Sequence, residues 1–179
     1  MPYILPMFSS LIQYKIASDI NLDLIRPDYC VSCGRAHPWR HGPYPRKPHR
    51  DKDTNESLNP IFIQRYFCPG CEKTFSVLPE CIPPRRWYLW EVQQAVFLLF
   101  VLGYSAYEIA KESIPSYKTI TRWFQRFQDQ FRLHRDTLCS HFEALAQTRS
   151  FTDFWTVCFK QITLGAAMRI CHVGGVSVP

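Results

Sequence analysis

The 179-residue sequence has no long apolar run. The longest, Ala95–Leu102, is eight residues. A membrane-spanning helix needs about 20, so none is expected. The first ten residues, MPYILPMFSS, contain neither Lys nor Arg, and a secretory signal is therefore not expected. There is no internal repeat and no low-complexity tract. Acidic residues are scarce at the end: after residue 130 only Asp136, Glu143 and Asp153 occur, all within helical patterns. At this length, a DNA-recognition module plus a catalytic domain of about 100–150 residues would not fit easily. The expectation is one domain or two small ones, without catalysis.

Apolar residues make up 46% of the chain, enough for a packed core. Net charge is +6 and there are eight cysteines. Without an export signal the expected compartment is the reducing cytoplasm, where cysteines are metal ligands or buried thiols before they are disulfides. The charge is unevenly placed. Residues 30–87 carry ten Lys/Arg against five Asp/Glu, whereas residues 88–130 are neutral. A local surplus of this kind attracts phosphate backbones.

Cys30-Val31-Ser32-Cys33 and Cys68-Pro69-Gly70-Cys71 form two C-x2-C pairs. Each pair can place two thiolates on one tight turn, and two facing turns supply the tetrahedral sulfurs of a structural zinc site. Gly34, Pro69 and Gly70 suit such turns. One Zn2+ is expected, closed to water and hence without catalytic chemistry. His37, His41 and His49 lie nearby, but the sulfur set is complete without them. Cys81, Cys139, Cys158 and Cys171 have no ligand spacing and read as small buried hydrophobes.

The expected fold class is α+β: a small β zinc ribbon followed by helices. The boundaries are an N-terminal extension with short strands (1–29), ribbon and linker (30–87), helix-turn-helix (88–130), and a C-terminal helical segment with a loose tail (131–179). Within them, 3–5 and 11–16 read as strands, 42–60 as a loop, 61–67 as a strand, and 79–86 as a stiff proline linker. Trp90–Leu102 reads as an apolar, buried helix stopped by Gly103. Ser105 and Glu108 form a capping box for a second helix. Pro115 breaks it, and Ser116 starts a third helix with Ile120, Trp123, Phe124, Phe127 and Phe131 on its inner face.

The polar face of this third helix carries Tyr117, Lys118, Thr121, Arg122, Gln125 and Arg126. In a helix-turn-helix the second helix of the pair lies in the major groove and presents its N-terminal residues to base edges. Arg40, Arg46, Lys47, Arg50, Arg65, Arg85 and Arg86 are candidate phosphate contacts. The expected partner is double-stranded DNA. Residues 151–164 either cover the helical core or form a homodimer face.

The run Arg65–Pro79 (RYFCPGCEKTFSVLP) resembles the zinc-ribbon signature of bacterial insertion-sequence transposases. His41-Gly42-Pro43-Tyr44-Pro45-Arg46 is similar to the H-G-x-Y-x-R strand of that module. Gly103–Ala110 and Ser116–Trp123 are similar to its helix-turn-helix. The resemblance covers about residues 30–130. It implies binding to transposon-end or operator DNA, nucleoid association, and transposase or other transposition proteins as partners. It would also imply a ribonuclease-H-like catalytic half with three carboxylates, for which this sequence offers no counterpart. The alternative readings are a DNA-binding fragment or subunit of a transposase whose catalytic domain is elsewhere, and a protein-interaction adaptor or general transcription factor.

Overall fold

The computed structural model describes residues 2–48, 58–85, 87–176 and 178. The architecture is α+β, in two compact units, Met1–Leu89 and Trp90–Pro179.

In the first unit, β1 (Tyr3–Leu5), β2 (Trp39–Arg46), β3 (Ile61–Cys68) and β4 (Lys73–Pro79) form one sheet in the order β1-β4-β3-β2. β1 runs parallel to β4, and the other pairs are antiparallel. β1 lies at an edge, as its flanking prolines require. Its pairing makes the segment expected as an extension part of the sheet.

Two local expectations are corrected. Residues 11–16 do not form a strand but lie in helix α1 (Leu11–Ile20). Ser10 and Gln13 form a reciprocal capping box, and Leu11, Tyr14 and Ala17 recur at helical spacing on the buried face. Tyr14 fastens this helix to the sheet. Its hydroxyl donates to the Val77 carbonyl (3.5 Å) and accepts from the Gln64 amide (3.3 Å). Residues 42–46, which their prolines read as loop and the H-G-x-Y-x-R resemblance as strand, belong to β2. The strand tolerates them because it is the other edge of the sheet. Pro43 and Pro45 have the same parity, so both missing N–H groups point away from β3. The strand expected over 61–67 is β3. The proline segment 79–85 is packed rather than a free linker. Ile82, Pro83 and Pro84 are buried, and the Pro83 carbonyl accepts from the Arg46 guanidinium (2.6 Å).

The second unit is helical: α2 (Trp90–Val101), α3 (Ala106–Glu112), α4 (Tyr117–Asp129), α5 (Phe131–Cys139), α6 (Glu143–Ala146), α7 (Phe151–Gln161) and α8 (Leu164–Val173). Gly103 ends α2 with φ +97°; its amide reaches the Phe100 carbonyl, and that of Tyr104 the Leu99 carbonyl. This pair of bonds is a Schellman stop. The expectation that α2 is buried all round is corrected, because Leu98 and Leu102 face solvent.

Phe97 sits at the centre of the core, with the rings of Phe124, Phe127, Phe151, Trp155 and Phe159 all within 6 Å. The aromatic segment 151–164 therefore covers the helical core. The tail begins ordered. The Val176 amide donates to the Cys171 carbonyl and the Gly175 amide to that of His172, a second Schellman closure.

Candidate metal centre and nucleic-acid interface

The first C-x2-C pair lies in a loop closed by the Cys30 amide donating to the Arg35 carbonyl (2.8 Å). The second is the turn joining β3 to β4: Cys68 ends the strand and Cys71 precedes Lys73. The two turns repeat one geometry. The Gly34 amide donates to the Cys30 carbonyl and the Glu72 amide to the Cys68 carbonyl. Gly34 (φ +72°) and Glu72 (φ +56°) both take the left-handed conformation four residues after the leading cysteine. In each turn an amide two residues on points at the leading sulfur, Ser32 to Cys30 and Gly70 to Cys68, both at 3.4 Å.

The four sulfurs lie within 4.8 Å of one another, with Cys30–Cys71 at 3.7 Å and Cys33–Cys68 at 3.5 Å. A tetrahedron with metal–sulfur bonds of about 2.3 Å has edges of about 3.8 Å. The cluster therefore fits one metal ion, and its four-thiol donor set is compatible with a single zinc.

The electrostatics favour thiolates unevenly. Burial opposes ionisation of Cys68, but the amides of Cys71 and Gly70 and the neighbouring thiols outweigh it and bring Cys68 down to about 6. At Cys33 the Arg35 amide favours the thiolate, yet the sulfurs of Cys68, Cys71 and Cys30 push the thiol up to about 11. Protons so shared are displaced together by a cation. None of the described histidines joins this cluster. His41 packs on Phe67 with ring centroids 6.3 Å apart, and His49 lies outside the described residues. Burial pushes Cys158 and Cys171 up to about 12, as expected of structural thiols. Cys81 and Cys139 are only half-buried, which corrects the expectation for them.

The helix-turn-helix candidates fall on α3 and α4. The Ser105–Glu108 capping box forms on both sides. Four residues, 113–116, join the helices. Ser116 is the N-cap of α4, but its hydroxyl meets that of Thr119 (3.1 Å) rather than a backbone amide. Ile120, Trp123, Phe124 and Phe127 are buried. Phe131 is half-buried and starts α5 instead of extending α4.

Tyr117, Lys118, Thr121, Arg122 and Gln125 are exposed together on one face, with Arg126 half-buried beside them. The Thr121 hydroxyl donates to the Tyr117 carbonyl (2.9 Å), and the Gln125 amide group donates to Asp129 (2.8 Å). The Thr121 hydroxyl thus spends its hydrogen within the helix, as Gln125 spends one of its two amide hydrogens.

The basic residues of the first unit divide in two. Arg40 pairs with Asp23 (2.7 Å), Arg46 bonds Pro83, and Arg65 donates to the Gly42 carbonyl (3.4 Å) and lies over the Tyr44 ring. These three brace the sheet. Lys47 and Arg85 are exposed. Arg50 and Arg86 lie outside the described residues. Sequence reasoning missed the aromatic neighbours of these cations, Tyr44 and Trp87. The available signal was an uncovered tryptophan beside two arginines.

Among the described residues no helix is long and apolar enough to cross a membrane. No curated protein and no solved structure matches the chain. Residues 30–123, which run from the first cysteine of the cluster to Trp123 of α4, match the family described as "Domain of unknown function (DUF6431)". The match spans the cysteine cluster, β2 to β4, α2, α3 and the first half of α4, more than half of the sequence, and the chain belongs to that family.

Proposed function

We propose that this chain is a zinc-dependent, sequence-specific double-stranded DNA-binding protein of transposase-related origin, acting by binding alone. It would serve transposon-end recognition or transcriptional regulation, with transposition proteins as partners. The observation that carries this reading is the exposed face of α4. It begins after a short turn from a capped helix and collects Tyr117, Lys118, Thr121, Arg122 and Gln125 over a wholly apolar underside. That is how a recognition helix divides its labour, one face for the core and one for the major groove.

The chemistry assigns roles. Arg122 is the bidentate donor suited to guanine O6 and N7. Thr121, whose hydroxyl hydrogen is engaged internally, and Gln125, which keeps one of its two amide hydrogens on Asp129, offer acceptors to adenine N6 or cytosine N4. The Thr121 methyl group suits the thymine methyl. Lys118, Lys47 and Arg85 are the exposed cations suited to phosphate. Cys30, Cys33, Cys68 and Cys71 would hold zinc, which joins the first loop to the β3–β4 turn and stabilises the small sheet. Four sulfurs leave no position for a reacting water, so the metal's contribution is to folding.

Selection of bound duplexes from a random pool by the zinc-loaded protein tests the reading. A single enriched motif is expected. Arg122→Ala should weaken binding to it by about 1–3 kcal/mol and relax one base position. Affinity should fall steeply with salt. An unenriched pool, or an Arg122→Ala protein with unchanged affinity and preference, would refute sequence reading by α4.

A further inference from the structure

The first unit carries a groove of about 690 Å³ on its sheet, built entirely from residues before Trp90. It is lined by Tyr44, Arg46 and Lys47 from the end of β2, by Ser76 of β4, and by Arg85 and Trp87. No Asp or Glu lines it among the described residues. Trp87 is 63% exposed, which leaves much of its ring open to a stacking partner. Lys47 and Arg85 are likewise exposed, and Arg46 is held in place by its bond to the Pro83 carbonyl.

Two exposed cations, Lys47 and Arg85, two aromatic rings and a hydroxyl in one groove match the chemistry of a nucleotide. Bases stack on aromatic faces, and phosphates take Lys and Arg. The volume lies within the ordinary range of ligand sites. Duplex DNA hides its base faces in the stack, so rings of this kind serve unpaired bases.

We infer that this groove binds an unpaired nucleotide of single-stranded DNA, its base against Trp87 or Tyr44 and its phosphates on Lys47 and Arg85. The site is built from residues of the sheet unit alone and does not depend on duplex reading by α4. It provides a hold on a melted or nicked DNA end.

Fluorescence anisotropy with a labelled oligo-dT of about 15 nucleotides, using the full zinc-loaded chain, tests this. Binding is expected, with quenching of tryptophan emission. Trp87→Ala and Arg85→Ala should each weaken it at least tenfold, whereas Arg122→Ala should leave it unchanged. Duplex selection by Trp87→Ala should keep the wild-type preference, which separates this site from α4. Three results would overturn the inference. One is no oligo-dT binding at low salt. Another is equal binding by wild type and Trp87→Ala once circular dichroism shows both folded. The third is competition by thymidine monophosphate as effective as by the oligonucleotide, which would make the groove a small-molecule site.

Discussion

At the scale of single residues, the two cysteine turns ask the same conformation of different side chains. Gly34 adopts its positive φ freely, and Glu72 does so at a cost of about 1–2 kcal/mol. Glu72→Gly should therefore stabilise the metal-loaded protein by about 0.5–1 kcal/mol, and Gly34→Ala should destabilise it by a similar amount. Urea denaturation of both variants measures this. Space is not the reason, since a Cβ at Gly34 meets nothing within 4 Å. The cysteines make a second residue-scale test. Burial holds Cys158 and Cys171 as thiols to about pH 12, and metal would protect the cluster. Alkylation of the native, zinc-loaded protein at pH 8 should label only the half-buried Cys81 and Cys139. Mass spectrometry after chelation should then add Cys30, Cys33, Cys68 and Cys71, with Cys158 and Cys171 still unlabelled.

At the scale of elements, the start of α3 decides how α4 is presented. Ser105→Ala removes the capping oxygen and should cost about 1 kcal/mol of thermal or urea stability. The Glu108 carboxylate accepts from the Ser105 hydroxyl and amide, which holds it below the usual carboxylate value. Its folded pKa is thus lower than its unfolded one. The contribution is fully present above the unfolded pKa and is lost as pH falls through the folded one. Wild type should therefore keep its advantage over Glu108→Gln at neutral pH and lose it on acidification, as urea midpoints from pH 7 to pH 3 would report. The helices also show when local signals suffice. α3 and α4 were legible because a cap, a proline break and helical apolar spacing agree. α1 was misread because Ile12 and Ile16 look like strand residues, although both face solvent. The deciding signal was the Ser10–Gln13 box and the 11-14-17 spacing of the residues that Tyr14 pins to the sheet.

At the scale of the whole molecule, the two units rest on different supports. The helical unit packs Phe97, Phe127, Phe154 and Trp155 into an aromatic centre that also buries His134. The sheet unit has its cysteine turns at one end of β3, and their metal would join segments more than 30 residues apart. Chelation should therefore melt strand signals and leave the helical signal largely intact, as far-UV circular dichroism can read. Simultaneous loss of both would refute independent support. Acid should act as the chelator does. Ligand thiolates must stay deprotonated, so zinc is released as pH falls and protons compete for sulfur, and rebinds on neutralisation. A zinc-responsive dye followed from pH 7 to pH 4 would record the release.

By itself the sequence determined the α+β class, the four-cysteine pairing, β3, and the capped α3–α4 pair. Each of these is written in local spacing: two residues between cysteines, a cap three residues before its partner, apolar positions three and four apart. Only the tertiary structure decided that β1 joins β4, that the proline-rich strand β2 lies at the edge of the sheet, and that residues 79–85 pack. It also decided which arginines brace the sheet and which face solvent. Those outcomes depend on partners distant in the chain, because an edge forgives missing amides and a carbonyl such as that of Pro83 becomes an acceptor only once folding brings Arg46 to it.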